Sequence, residues 1–145
     1  MDFVAVGDFM LDHEFSPHRG PFRAAFQVLD KADVVFANLE NPLGRGGHPR
    51  EKMFTFRSNP SLAKTVRDSG VDVVTIANNH MLDYGEGVLM ETLRTLSKAK
   101  IPFVGAGKNL VEAEKPRGIG RYSRMRSKGQ GWHPEIARGK SKRRA

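Results

Sequence analysis

Short apolar runs alternate with segments of helical character, and this order constrains the fold more than any other feature of the chain. The apolar runs cover residues 3–6, 34–37, 71–76 and 101–104. Helical spacing or helix start and stop signals lie between them, over residues 21–31, 59–70 and 87–100. A β-α-β-α-β-α-β order is typical of a mainly parallel sheet with helices on its faces. The sequence therefore predicts the α/β fold class with about four parallel strands.

Length and composition narrow the class of protein further. A chain of 145 residues is expected to form one domain with a modest core. Because it contains no cysteine, it has no disulfide framework, thiol nucleophile or thiolate metal ligand. No apolar run approaches the roughly 18 residues of a membrane span, and the first residues enter a strand-like run without a signal-peptide pattern. As written, the chain is predicted to be cytoplasmic.

The basic charge of the chain is concentrated at its end. Residues 115–145 carry eleven of the 24 Lys and Arg residues but a single acid, Glu135, whereas residues 1–114 are slightly acidic. Apolar residues also become sparse there and lose any regular spacing, so the segment cannot bury enough surface to offset its ordering entropy. We therefore predict a domain over residues 1–116 and a disordered basic tail over residues 117–145.

Three interpretations of this tail are open. It could be an arm for nucleic acid, because clustered basic residues release counterions from phosphates. Its only larger aromatic residues are Tyr122 and Trp132, however, so base stacking is poorly supported and nucleic acid is not the favoured partner. It could attract an acidic polymer by the same electrostatics. The abrupt change in composition favours the third interpretation, non-native sequence from a shifted reading frame or a truncated gene.

Polar side chains follow three of the four predicted strands. The residues at these strand ends are Asp8, Asn38, Glu40, Asn78, Asn79, His80 and Asp83. In a parallel sheet the loops after the strands open on one edge, which is where ligands bind in open α/β sheets. Oxygen ligands with one imidazole suit Mg²⁺, Mn²⁺, Fe or Zn²⁺ better than an ion that prefers thiolates. The pattern thus predicts a metal or substrate site at this edge.

Each of these residues also has a structural alternative. Asp8 could cap the end of its strand, Glu40 could be a solvated loop acid, and Asp83 could cap the following helix. For Asn78 we favour stabilisation of its own turn through the side chain. The remaining histidines and one further aspartate are interpreted as loop residues without a role in the site: Asp12, His13, His18, His48 and His133.

Four ordered blocks carry a resemblance to a known family. Residues 6–11, 37–43, 77–85 and 105–109 read VGDFML, ANLENPL, ANNHMLDYG and GAGKN. In order and approximate spacing they resemble the CapA-type poly-gamma-glutamate capsule biosynthesis family over about residues 2–116. That family is similar to the calcineurin-like metallophosphoesterases. The resemblance implies an αββα sandwich of two sheets, of which this chain would supply the N-terminal part.

The resemblance also implies roles for individual residues. Asp8, Glu40 and Asn79 would be metal ligands for Mn, Zn, Fe or Mg, and His80 would be a general acid or transition-state donor. Asn38, Asn78 and Asp83 would contact the substrate or form hydrogen bonds that orient the metal-binding residues. The activity implied for the whole protein is that of a metal-dependent hydrolase in capsule or cell-surface polymer biosynthesis.

The implied partners follow from the same resemblance. They are a phosphoester or anionic polymer substrate and other members of a capsule-synthesis complex, and the location is the cell surface if an upstream segment precedes this sequence. The later His-containing blocks of the family are absent, which predicts a truncated protein with an incomplete metal site. A sheet without its partner sheet would also favour self-association. The alternative is a non-catalytic module that binds polyanions or nucleic acid through the basic tail.

Overall fold

The predicted strands form one parallel sheet in the computed structural model, which describes residues 2–11 and 22–116. The strands are β1 (Phe3–Phe9), β2 (Val34–Leu39), β3 (Val73–Thr75) and β4 (Phe103–Val104), and they lie in the order β1-β2-β3-β4. The helices are α1 (Phe22–Leu29), α2 (Ala63–Asp68), α3 (Glu86–Lys98) and α4 (Leu110–Ala113). All three strand pairs are parallel. The predicted α/β class and strand count are therefore confirmed.

An irregularity in β1 changes its register with β2 close to the carboxyl ends of the two strands. Ala5 pairs with Phe36, but Asp8 pairs with Asn38, so β1 uses one residue more than β2 over this interval. In a regular ladder Asp8 would instead lie opposite Leu39. Bulges of this kind change the direction in which a side chain points. Here the extra residue places Asp8 beside Asn38.

The core lies around the two central strands. Apart from the half-buried Phe36, the apolar side chains of β2 and β3 are almost completely buried, and they pack with residues of α2 and α3 such as Val66, Leu93 and Leu96. Leu93 and Leu96 belong to the face that helical spacing predicted for α3, which is confirmed. A buried sheet centre with helices beside it leaves the strand ends as the accessible part of the sheet.

The second helix begins and ends at the predicted signals. The Asn59 side chain accepts a hydrogen bond from Ser61 N at 3.0 Å, and Pro60 occupies the first helical position. The first turn is a 3₁₀ turn, Pro60–Leu62, that leads into α2. Gly70 follows the helix with φ +84°, a conformation that favours glycine.

Several differences separate the prediction from the structure. β1 and β2 extend beyond the predicted runs, whereas β3 and β4 are shorter, and α4 was not predicted. The basic tail over residues 117–145 lies outside the described residues, as do Asp12, His13, His18 and His133. Within the described residues, no helix is long and apolar enough to cross a membrane.

Candidate functional site

Asn38 joins the ends of the first two strands. Its side-chain amide nitrogen donates to Asp8 Oδ1 at 2.8 Å and to Glu40 Oε2 at 2.6 Å. Asp8 is exposed, while Glu40 is 8 % exposed. One amide thus holds two carboxylates close together at the edge of the sheet, where the sequence predicted that they would meet.

Asn78 extends this network to the third strand. Its amide nitrogen donates to Asn38 Oδ1 at 3.0 Å and to the Leu39 carbonyl at 2.8 Å. Its side-chain oxygen accepts from the backbone N–H groups of His80 and Met81. The turn-stabilising role predicted for Asn78 is confirmed, and the same side chain ties this turn to the end of β2.

His80 lies between two carboxylates. Its Nδ1 is 2.7 Å from Asp83 Oδ2, and its Nε2 is 3.4 Å from Glu40 Oε1. The ring also lies against Phe56, with ring centroids 4.4 Å apart. Because the short contact is on the Nδ1 side, Asp83 orients the imidazole and Nε2 faces Glu40 at the end of β2.

Asp83 is a buried acid that does not cap α3. The helix begins after Gly85, which has no capping side chain, and the Asp83 side chain is 1 % exposed. Its Oδ2 accepts from Phe56 N at 2.7 Å as well as facing His80. Burial acts to raise the pKa of Asp83, but hydrogen bonds from Lys52, His80 and Phe56 outweigh it, so the pKa lies below its ordinary value of 3.8.

Lys52 is the site residue that sequence reasoning missed. Its ammonium forms an ion pair with Asp83 Oδ1, donates to the Asn79 carbonyl at 3.1 Å and lies 3.3 Å from His80 Nδ1. It belongs to the segment over residues 44–58, which contains no helix or strand. The only signal in the sequence was a lysine in a long loop, which is more often solvated.

Asn79 faces a neighbouring cavity. Its side chain is exposed, and together with Asn78 it lines an open cavity of about 410 Å³ beside the carboxyl ends of β3 and β4. Apolar residues form most of the remaining wall, including Ile76, Met81 and Leu89. The cavity therefore adjoins the polar cluster without containing its charged groups.

The donor set is suited to a hard divalent cation but is incomplete in the described part of the chain. Carboxylate and amide oxygens with one imidazole are ligands that Mg²⁺, Mn²⁺ and Zn²⁺ accept. Among the described residues, no three His, Asp or Glu side chains are placed so that they could hold one ion together. The assignments of Asp8, Glu40 and Asn79 as ligands remain predictions. His48 is exposed on its loop, as expected for a residue outside the site.

The fold and this polar edge define a class of protein. A parallel sheet with carboxylates and an Asn-Asn-His turn at its carboxyl edge is compatible with the metallophosphoesterase-like fold of the family that the chain matches. Residues 2–126 match the model of the family described as bacterial capsule synthesis protein PGA_cap, and the chain belongs to that family. The predicted relationship to CapA-type proteins is thus confirmed.

Three relatives show what fraction of the length of a family member this chain covers. The capsule biosynthesis protein CapA of Bacillus anthracis is 29 % identical over 97 residues, 64 % of this chain and 24 % of that protein. The PGA biosynthesis protein CapA of Bacillus subtilis is 29 % identical over 118 residues, 76 % of this chain and 31 % of that protein. A Mycobacterium tuberculosis protein named "Probable polyglutamine synthesis accessory protein" is 33 % identical over 100 residues, 67 % and 26 % of the two chains. The chain therefore spans about a quarter to a third of the length of these relatives.

Proposed function

We propose that this chain is the N-terminal part of a protein of capsule or cell-surface polymer biosynthesis, with a metal-dependent hydrolase site of metallophosphoesterase type. The observation that carries the proposal is the continuous hydrogen-bonded network of Asp8, Asn38, Glu40 and Asn78 at one sheet edge. A core or a solvated loop would not require side chains from three strand ends to bond to one another. The family match and the names of the relatives support the polymer-biosynthesis part of the proposal.

The residues divide into two proposed roles. Asp8, Glu40 and Asn79 would hold a divalent ion, which when bound supplies a Lewis acid and a water-derived nucleophile at neutral pH. His80, oriented by Asp83, would give or take a proton at Nε2 on the leaving-group side. Further ligands would have to come from parts of the protein outside the described residues, since each ion needs several.

The proposed substrate is a phosphoester or an anionic amide-linked polymer. The adjoining cavity would receive its uncharged portion, because most of the cavity wall is apolar. Asn78 and Asn79 belong to both the cavity and the polar edge, so a substrate in the cavity would have its reactive group near His80.

Metal titration tests the site. We expect Mn²⁺ binding by calorimetry in the wild type and at least about tenfold weaker binding in Asp8→Ala, because a charged ligand is removed. Asp8 is exposed, so its truncation is expected to leave the fold intact. Asp68→Ala is the matched control, since Asp68 is an exposed acid paired with Lys64 in α2. Equal Mn²⁺ affinity in the wild type and Asp8→Ala would remove the proposed ligand.

A further inference from the structure

Two groups of opposite character contact the Nδ1 atom of His80, and the atom cannot form a hydrogen bond with both of them. Asp83 Oδ2, an acceptor, is 2.7 Å away, and the Lys52 ammonium, a donor, is 3.3 Å away. A ring nitrogen either carries a proton or offers a lone pair, so it can satisfy one of the two. The shorter contact with a carboxylate is the stronger one, and it requires the proton on Nδ1.

The lysine therefore acts on the carboxylate and not on the ring. Within the described part of the chain, Asp83 Oδ1 is buried and faces no polar neighbour other than the Lys52 ammonium. Oδ2 meanwhile serves His80 and the Phe56 N–H. With one oxygen held by the lysine, the rotation of the carboxylate is fixed and Oδ2 stays within hydrogen-bond distance of His80 Nδ1.

The ammonium is not needed merely to attach its loop. The segment over residues 44–58 is already joined to the same turn by Arg50 N to the Asp83 carbonyl at 2.8 Å and by Phe56 N to Asp83 Oδ2 at 2.7 Å. A parallel bridge between Leu43 and Ser58 also joins the two ends of the segment to each other. The Lys52 side chain takes part in none of these contacts, so what it adds is its hydrogen bond to the Asn79 carbonyl and a charge placed against Asp83.

We propose that Lys52 is a positioning residue: by fixing the Asp83 carboxylate it holds His80 in the single tautomer that has its proton on Nδ1. Nε2 is then left as an acceptor that faces Glu40 Oε1 across 3.4 Å, beyond a close hydrogen bond. The use of Nε2 in a reaction rests on the proposed function, whereas the tautomer and its dependence on Lys52 do not. A failed metal titration and a failed tautomer measurement would therefore be distinguishable.

Long-range ¹H–¹⁵N correlation of the histidine rings tests the proposal, with the His80 signals assigned from a His80→Gln sample. At alkaline pH, where imidazole is neutral, we expect the wild type to show the proton on Nδ1 in an excess on the order of tenfold or more. In Lys52→Met, which keeps most of the stem but loses the charge, the excess falls toward an even mixture. The Phe56 amide signal shifts in the same variant, because the Phe56 N–H donates to Asp83 Oδ2 and so reports the position of the carboxylate.

Two variants separate this role from a merely structural one. Lys52→Arg restores the charge and is expected to return both signals toward those of the wild type, and Lys64→Met, which removes an exposed lysine of α2, is expected to leave them unchanged. Should Lys52→Met unfold, Lys52→Gln, which is shorter and uncharged, takes its place. A wild type with its proton on Nε2, or a folded Lys52→Met or Lys52→Gln with unchanged His80 and Phe56 signals, would overturn the proposal.

Discussion

Asn78 and Asn79 are neighbours in the chain, but their side chains have opposite surroundings. The Asn78 amide makes four hydrogen bonds within the protein, to the end of β2 and within its own turn. The Asn79 side chain is exposed beside the cavity. Asn78 therefore stabilises the structure of the site, whereas the Asn79 side chain is accessible from the cavity.

Alanine substitution should separate these two asparagines. We expect Asn78→Ala to lower the free energy of unfolding by roughly 2–4 kcal/mol, because each lost hydrogen bond is worth about 1 kcal/mol. Asn79→Ala should change it by less than about 0.5 kcal/mol, as for other exposed positions. Urea unfolding of both variants provides the measurement. Equal losses in the two variants would contradict the assignment.

The lowered pKa of Asp83 makes a prediction about acid stability. Because the folded-state pKa lies below 3.8, the ionised carboxylate stabilises the fold above that pH, and the contribution disappears as the pH falls through the folded-state value. We therefore expect Asp83→Asn to be less stable than the wild type by about 1–3 kcal/mol near neutral pH. The difference should shrink below about pH 4.

Unfolding by urea over a series of pH values measures this difference. Asp68→Asn is the control, since Asp68 is an exposed residue of α2. A deficit in Asp83→Asn that stays constant from neutral pH into the acid range would show that the ionised form is not what stabilises the fold.

At the scale of the elements, the end of β4 depends on a close approach to the end of β3. Gly105 has φ +90°, and a Cβ built on it would lie 2.5 Å from the Ala77 Cβ. Both residues line the cavity. This part of the edge therefore requires glycine for its backbone conformation and for the space beside it.

Two glycine-to-alanine variants give opposite expectations. Gly105→Ala should destabilise the protein by on the order of 2 kcal/mol or more, from the unfavourable φ and the clash. Gly87→Ala, in the first turn of α3 with open space around it, should stabilise the protein by about 0.5–1 kcal/mol. Denaturation midpoints measure both. A neutral Gly105→Ala would show that the two strand ends can separate without cost.

The sequence predicted elements better than it predicted contacts between them. Periodicity located α3, and the strand-end rule brought Asp8, Asn38 and Asn78 to one edge, because both depend on local pattern. The role of Lys52 was not predictable, since it arises from a loop 28 residues before His80 that has no periodicity of its own. The helix-cap alternative for Asp83 failed for a related reason, because its partners Lys52 and Phe56 lie in that same loop.

At the scale of the whole molecule, several large apolar side chains of the described residues are exposed. Phe3, at the start of β1, and Met10, directly after its end, are 59 % and 46 % exposed, and Leu110 and Val111 of α4 are exposed as well. The chain spans only a quarter to a third of its relatives. Apolar surface of this kind favours association when enough of it is contiguous.

We expect the 145-residue chain to self-associate in a concentration-dependent way. Adding charge to β1 with Phe3→Lys and Met10→Lys should shift the equilibrium toward monomer, because burying those positions would then desolvate two cations. Leu110→Lys and Val111→Lys form the matched pair on α4. Sedimentation equilibrium gives the mass. A wild type that stays monomeric at all concentrations, or an identical response to both pairs, would contradict association through β1.

The extra residue in β1 means that the edge depends on a count of residues as well as on their identity. Without the bulge, the same residues of β1 would pair regularly with β2, and every polar side chain of the network would still be present. Asp8 would then lie opposite Leu39, on the other face of the sheet from Asn38. Removing one residue between Ala5 and Asp8 would have the opposite effect, because a regular ladder would then bring Asp8 opposite Asn38 without a bulge. When relatives are compared, a one-residue gap at these positions is therefore compatible with the same pairing of Asp8 and Asn38, whereas a substitution at Asp8 removes a carboxylate from the site.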